Sequence, residues 1–145
     1  MNEFELYINI TRKINAPIEQ VFDAWLNPEL LARFMRPMPK MTAPETTLDA
    51  TEGGRFIIKM VVGGHIIPHQ GLYLKMDRPN ILQFSWESPF SAENSVVTLK
   101  FKSLDANCTE LDLDHVGFSD EDSCANHKGG WINILRLFSN VLNDN

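Results

Sequence analysis

Residues 4–10 alternate strictly, with Phe4, Leu6, Ile8 and Ile10 on one side and Glu5, Tyr7 and Asn9 on the other. A period of two marks a strand with one face in a core and the other in water. The pattern predicts that this strand continues to Ile14. Asn15-Ala16-Pro17 then punctuates the chain, proline being suited to a first helical position because its missing N–H would have no partner there. Ile18, Val21, Phe22, Trp25 and Leu26 follow at the i, i+3, i+4, i+7, i+8 spacing of a helix that presents one apolar stripe. Pro28 interrupts it, and Leu30, Leu31 and Phe34 predict a second short helix to about Met35. The stretch RPMPKMTAP, residues 36–44, is too rich in proline for regular structure.

Six further strands are expected. Residues 45–51 give the weakest pattern. Residues 55–62 alternate Phe56, Ile58 and Met60 against Arg55 and Lys59, and a Gly63-Gly64 hairpin turn leads into 65–77. Asp77-Arg78-Pro79-Asn80 turns the chain into 81–87, where Leu82, Phe84 and Trp86 share a face. Val97, Leu99 and Phe101 mark 95–104, and Leu111 and Leu113 mark 109–117. Strands joined by short turns form an antiparallel meander. Ser119-Asp120-Glu121-Asp122 reads as a capped helical turn ahead of a final helix. That helix carries Trp131, Ile134, Leu135, Phe138, Val141 and Leu142 on one stripe, which on burial supplies on the order of 10 kcal/mol at most. Gly129 and Gly130 stand at its expected start. They cost about 1 kcal/mol each there, so their use is expected to be a close approach to a neighbouring backbone or a bend.

At 145 residues the chain is most simply one domain with a sizeable core. A net charge of −6, with scattered basic residues, argues against a nucleic-acid partner. The first residues have no basic segment followed by an apolar core, and no run is apolar enough to insert in a membrane, so a cytoplasmic location is expected. Cys108 and Cys124 have neither CxxC spacing nor Cys/His companions and are expected to be free thiols.

Three segments carry a resemblance: ITRKINAPIEQVFDAWLNPELLARFM, GGRFIIKM with the later DRPNILQFSWE, and LDLDHVGF with the closing HKGGWINILRLFSNVL. Together they resemble the bacterial proteins similar to the C-terminal domain of the activator of the heat-shock-protein-90 ATPase. That family belongs to the START-like, birch-pollen-allergen-like (SRPBCC) superfamily. The ending, with His127, Gly130, Trp131, Leu135 and Phe138, is its most specific part. The resemblance implies an α+β helix-grip fold: a curved seven-stranded antiparallel sheet wrapped around a long C-terminal helix, two short helices after strand one, and a hydrophobic cavity between helix and sheet. It carries over no catalytic motif and no cofactor. Where relatives often have a Trp-Trp-Gly-like stretch after the second helix, this chain has Phe34-Met35-Arg36, so the shape of the cavity mouth does not carry over.

The candidate ligand-binding residues are Trp25, Phe34, Met35, Met38, Phe56, Met60, Phe84, Trp86, His115, Trp131 and Leu135. Each serves equally as core. His115 shares the parity of Leu111 and Leu113, so it is expected to point inward and stay neutral, either satisfied within the core or offered to a ligand. His65 and His69 are spaced as HxxxH, but four residues of strand span about 13 Å, too far for one zinc ion, and both are expected at the surface. His127 reads as a contact near the helix start. Asp112 and Asp114 fall on the outer face and are expected in water. Met35, Met38 and Met41 form either an adaptable rim or ordinary loop packing. No nucleophile elbow, phosphate loop or dinucleotide fingerprint occurs. The leading reading is sequestration or transport of a small hydrophobic, aromatic or lipid-like molecule. A cyclase- or hydrolase-like enzyme using His115 and a chaperone-regulating interaction domain are the alternatives, and a homodimer is left open.

Overall fold

The computed structural model describes residues 6–38, 41–89, 95–118 and 120–143. The alternating start becomes β1 (Tyr7–Ile14), with Ile8, Ile10 and Ile14 buried and Tyr7, Asn9 and Thr11 exposed; Phe4 and Glu5 lie outside the described residues. Two short helices follow, α1 (Ile18–Ala24) and α2 (Pro28–Phe34). Asn27 caps the second, its side-chain oxygen accepting from the backbone N–H groups of Glu29 and Leu30.

The remaining strands are β2 (Glu45–Leu48), β3 (Arg55–Val62), β4 (His65–Asp77), β5 (Ile81–Ser85), β6 (Val96–Asp105) and β7 (Cys108–Val116), followed by α3 (Glu121–Asn143). They form a seven-stranded sheet in the order β1-β7-β6-β5-β4-β3-β2, every pairing antiparallel. The expected meander is therefore found, closed by the pairing of β7 with the first strand. Two strands are shorter than their patterns suggested. β2 ends at Leu48, just ahead of the turn in which Thr51 N–H returns to the Asp49 carbonyl and Gly54 N–H to that of Thr51. β5 ends at Ser85, beyond which a backbone bond from Trp86 to the Ser95 carbonyl and a bridge between Gln70 and Glu87 continue the pairing.

β4 is long enough to serve two neighbours in turn. Its first half pairs with β3 from His65 to Leu72, and its second half with β5 from Tyr73. At the changeover stands Gly71, where a Cβ would lie 2.0 Å from the Ser85 carbonyl oxygen; only glycine permits that approach. The β3–β4 hairpin therefore projects beyond the end of β5.

α3 lies against the sheet with Trp131, Ile134, Leu135, Phe138, Val141 and Leu142 all buried. Across it, Phe138 meets Trp25 and Phe34 at ring-centroid distances of 5.1 and 4.7 Å, and Trp25 meets Phe34 at 4.9 Å. This triangle joins the three helices. Asp23 of α1 takes both nitrogens of an Arg78 fork, at 2.7 and 2.8 Å, tying α1 to the β4–β5 turn; that hydrogen bond holds the Asp23 carboxyl below the usual carboxylate range.

The start of α3 differs from expectation. The expected short turn and final helix are one continuous helix from Glu121, so Gly129 and Gly130 sit inside it. Ser119, the expected cap, lies outside the described residues, and Asp120 does that work, its carboxylate accepting from Ser123 N–H at 2.7 Å. The two glycines also separate in role. A Cβ on Gly130 would lie 2.9 Å from Cβ of Pro37, whereas one on Gly129 would meet nothing within 4 Å. Close approach explains the first and not the second.

Gly129→Ala is accordingly expected to stabilise the protein by about 1 kcal/mol, the helix-propensity gain, and to raise Tm by about 3 °C. Gly130→Ala must displace the rigid Pro37 ring and is expected to give no gain or a loss. Urea unfolding of the two variants side by side checks the difference; equal stabilisation would contradict the close-packing account.

Candidate functional site

Between the projecting β3–β4 hairpin and the first half of α3 lies a cleft of about 620 Å³. Met60, Val62, Ile67 and His69 line it from the hairpin, Trp86 and Pro89 from the segment after β5, and Pro37 and Met38 from the loop after α2. The helix contributes Asp120, Ser123, Asn126, His127, Gly130, Trp131 and Ile134, which recur every three or four residues and so share one face. The apolar part of the wall lies deepest, since Met60, Trp86, Trp131 and Ile134 are all buried. The polar groups come mostly from the exposed first turns of α3.

Two histidines sit at this end of the core in different ways. His115 is fully buried. Trp131 Nε1–H donates to its Nδ1 at 2.9 Å, and its Nε2 is hydrogen-bonded to Ser95 Oγ. An indole can only donate, so Nδ1 is bare and Nε2 carries the proton. Burial holds the ring's pKa down at about 3, so it is neutral. The Ser95 carbonyl also accepts from the backbone N–H of Trp86, at 2.8 Å, so both tryptophans of the cleft wall are tied to one segment. Their rings lie 5.1 Å apart.

His69 is likewise buried and packs 5.3 Å from the Trp86 ring. Its Nδ1 lies 3.2 Å from the Ile67 carbonyl oxygen, which can only accept, so Nδ1 carries the proton. Burial depresses its pKa to about 4, opposed by that hydrogen bond and reinforced by His127. The neutral ring therefore keeps a lone pair on Nε2, which has no hydrogen-bond partner among the described residues. Nε1–H of Trp86 is buried and also without a partner. An unpaired buried donor costs about 1–3 kcal/mol, so this wall gives up stability that an apolar residue would retain.

Of the sequence candidates, Met38, Met60, Trp86 and Trp131 line the cleft. Trp25, Met35, Phe56 and Phe84, again with Trp86, surround a void of only about 10 Å³, barely room for one water. Phe34 and Leu135 are fully buried in packed core. His115 faces inward as its parity required, with both nitrogens engaged inside the protein. The methionines divide: Met38 is exposed at the rim, while Met35 and Met41 are buried.

His69 corrects the expectation of two surface histidines. His65, at the strand's first position, is exposed, but His69 shares the inward parity of Gly71 and Tyr73 and is buried. Parity within β4 was the signal that could have found it. Among the described residues no cluster of three or more His, Cys, Asp or Glu side chains could hold a metal ion. Asp112 and Asp114 lie on the outer face, accepting from Asn9 at 3.0 and 2.8 Å. Cys108 and Cys124 are free. No helix among the described residues is long and apolar enough to cross a membrane.

An antiparallel sheet of seven strands clasping a long C-terminal helix, with two short helices after the first strand, is the helix-grip architecture of the SRPBCC class. Within that class the chain belongs to the family described as Activator of Hsp90 ATPase homolog 1-like protein, whose model matches residues 15–143. Protein CV1439 from Chromobacterium violaceum superposes with a TM-score of 0.81 at 20% identity, over 94% of this chain and 96% of that one. ChR145 from Cytophaga hutchinsonii gives 0.76 at 25% identity, over 98% and 97%. An HSP90 activator from Plasmodium falciparum gives 0.77 at 23% identity, over 95% and 96%. At 20 and 23% identity these likenesses are of fold alone. No curated protein matches the chain.

The buried histidines make stability depend on pH. His69 and His115 stay neutral in the folded protein down to about 4 and about 3, against an ordinary 6.5. Below pH 6.5 the unfolded chain therefore binds protons that the folded one does not. Stability is expected to be unaffected by these groups above that pH and to fall as pH drops towards 4, each group contributing up to about 1.4 kcal/mol per pH unit. Urea unfolding between pH 7 and pH 5 measures the slope, and His69→Phe is expected to flatten it.

Proposed function

We propose that this chain binds a small, largely apolar molecule of aromatic character in the cleft between α3 and the β3–β4 hairpin. The observation that carries the reading is the cleft itself. Its volume of about 620 Å³ lies within the roughly 300–1,000 Å³ of small-molecule sites, and its apolar floor with a few polar groups is the lining such sites have. Trp86 and Trp131, 5.1 Å apart and tilted by 52°, favour an aromatic ligand, since aromatic pairs gain about 0.5–1.5 kcal/mol beyond their burial. Met38, exposed on a loop with proline neighbours, supplies a rim that adapts to the ligand's edge.

The enzyme reading relied on His115 as an acid or base. With Ser95 and Trp131 on its two nitrogens, that residue positions the wall, and the reading loses its support. Chaperone regulation keeps a specific observation in its favour, the family membership together with the fold shared with an HSP90 activator. It is tested by adding the purified chain to a heat-shock-protein-90 ATPase: a faster hydrolysis rate supports it, and an unchanged rate removes it.

For the cleft, equilibrium dialysis against naphthalene is expected to show saturable binding near one molecule per chain. Val62→Trp, which fills the cleft from the half-buried end of β3, is expected to weaken that binding by about tenfold or more while leaving the far-ultraviolet circular dichroism unchanged. Absence of saturable binding to the unaltered protein would defeat the proposal.

A further inference from the structure

Resting on the cleft reading, we infer that its occupant is a neutral hydroxyaromatic molecule, whose hydroxyl donates a hydrogen bond to Nε2 of His69. Three observations converge on that chemistry. His69 is more than nine-tenths buried and lines the cleft, with its Nδ1–H committed to the Ile67 carbonyl. Its remaining polar atom is a lone pair, which calls for a donor; a carboxylate or an ether oxygen would meet it with like partial charge. The ring beside it, Trp86 at 5.3 Å, presents aromatic surface with its own N–H buried out of reach. A hydroxyl is the smallest group that donates to such a lone pair while adding little polarity to an otherwise apolar body.

The apolar surroundings determine the rest of the molecule. Met60, Ile134 and the two indoles leave the body of the ligand no polar contact at depth, so its bulk must be hydrocarbon and flat enough to lie along the tryptophans. Charge is disfavoured for a further reason: His69 stays neutral down to about 4 and cannot serve as a counter-ion near pH 7.

The test compares 2-naphthol, 2-methoxynaphthalene and naphthalene on the full chain by equilibrium dialysis at pH 7. These share one ring system, and only 2-naphthol donates. It is expected to bind about tenfold more tightly than either of the others, the worth of one well-made hydrogen bond, although it is the most water-soluble of the three. In His69→Phe, which keeps a flat ring and removes the acceptor, that preference is expected to vanish while naphthalene still binds. In His69→Gln, whose amide oxygen accepts, it is expected to return in part.

Equal binding of 2-naphthol and 2-methoxynaphthalene to the unaltered protein overturns this inference and leaves the cleft reading standing. Failure of all three to bind removes both. A preference that persists in His69→Phe assigns the hydroxyl to another acceptor and likewise overturns the inference. Should His69→Phe not fold, the comparison between naphthol and its methyl ether on the unaltered protein decides the matter alone.

Discussion

Trp131 gives its indole N–H to Nδ1 of His115 in a region from which both residues have excluded water, and the orientation of α3 follows from that bond. His115 cannot move to suit the helix, because β7 is paired on both sides and holds it opposite Ile8 in β1 and Val97 in β6. The helix must therefore present Trp131 to it. With about 100° between successive residues of a helix, this choice turns Ile134, Leu135 and Phe138 inward as well, and swings the polar residues of the first turns towards the open end of the sheet. A slip of one residue would bring Ile132 inward, a residue now 41% exposed, and would strand the indole donor. A buried hydrogen bond contributes about 1 kcal/mol net but costs more than that to leave unmade, so its value here is in fixing one rotation of the helix over all others.

The same sheet is packed solid at one end and hollow at the other, and strand length explains the difference. Where all strands are present, the aromatic triangle of Trp25, Phe34 and Phe138 and the ring cluster of Phe56, Tyr73 and Phe84 fill the space under the helix. Beyond Ser85 the fifth strand has stopped, level with the start of β6 at Val96, while the β3–β4 hairpin continues, so the floor extends further than the filling. The helix cannot sink to close the gap, because Gly130 already rests against Pro37 with no space for even a methyl group between them. A strand that ends early and a helix held off by a proline together make a cleft without any strained residue having to prop it open.

The fold was legible because it is written in periodicities of two and nearly four, which any single stretch displays for itself. Ile8 and Ile10 against Tyr7 and Asn9, or Trp131 through Leu142, need no knowledge of partners to be assigned a face. The cleft was not, because it depends on where elements stop relative to one another. Phe56, Phe84 and Trp86 share one face in the sequence, yet only Trp86, one residue past the end of its strand, reaches the open space. His69 was hidden by Pro68 and by a spacing that invited a metal question, when its parity with Tyr73 already placed it inside. Gly130 and Gly129 look identical in sequence, and only the position of a loop nearly a hundred residues earlier tells them apart.

What distinguishes this wall from an ordinary core is its polar arithmetic. Phenylalanine in place of Trp86 would fill comparable space without an unpaired N–H, whereas leucine in place of His69 would leave the Ile67 carbonyl without its side-chain donor. Some buried polar groups elsewhere are satisfied, since Ser95 and Trp131 complete His115 and Thr109 gives its hydroxyl hydrogen to the Ala16 carbonyl, while Trp25 Nε1 and Arg36 Nε, like Trp86 Nε1, are buried without a partner among the described residues. What sets the cleft wall apart is therefore His69, whose Nε2 keeps an uncommitted lone pair on a residue that lines the opening. A lone pair in that position is met by water in the empty cleft and by a donor when the cleft is filled, so the donor's worth depends on how apolar the rest of its surroundings are.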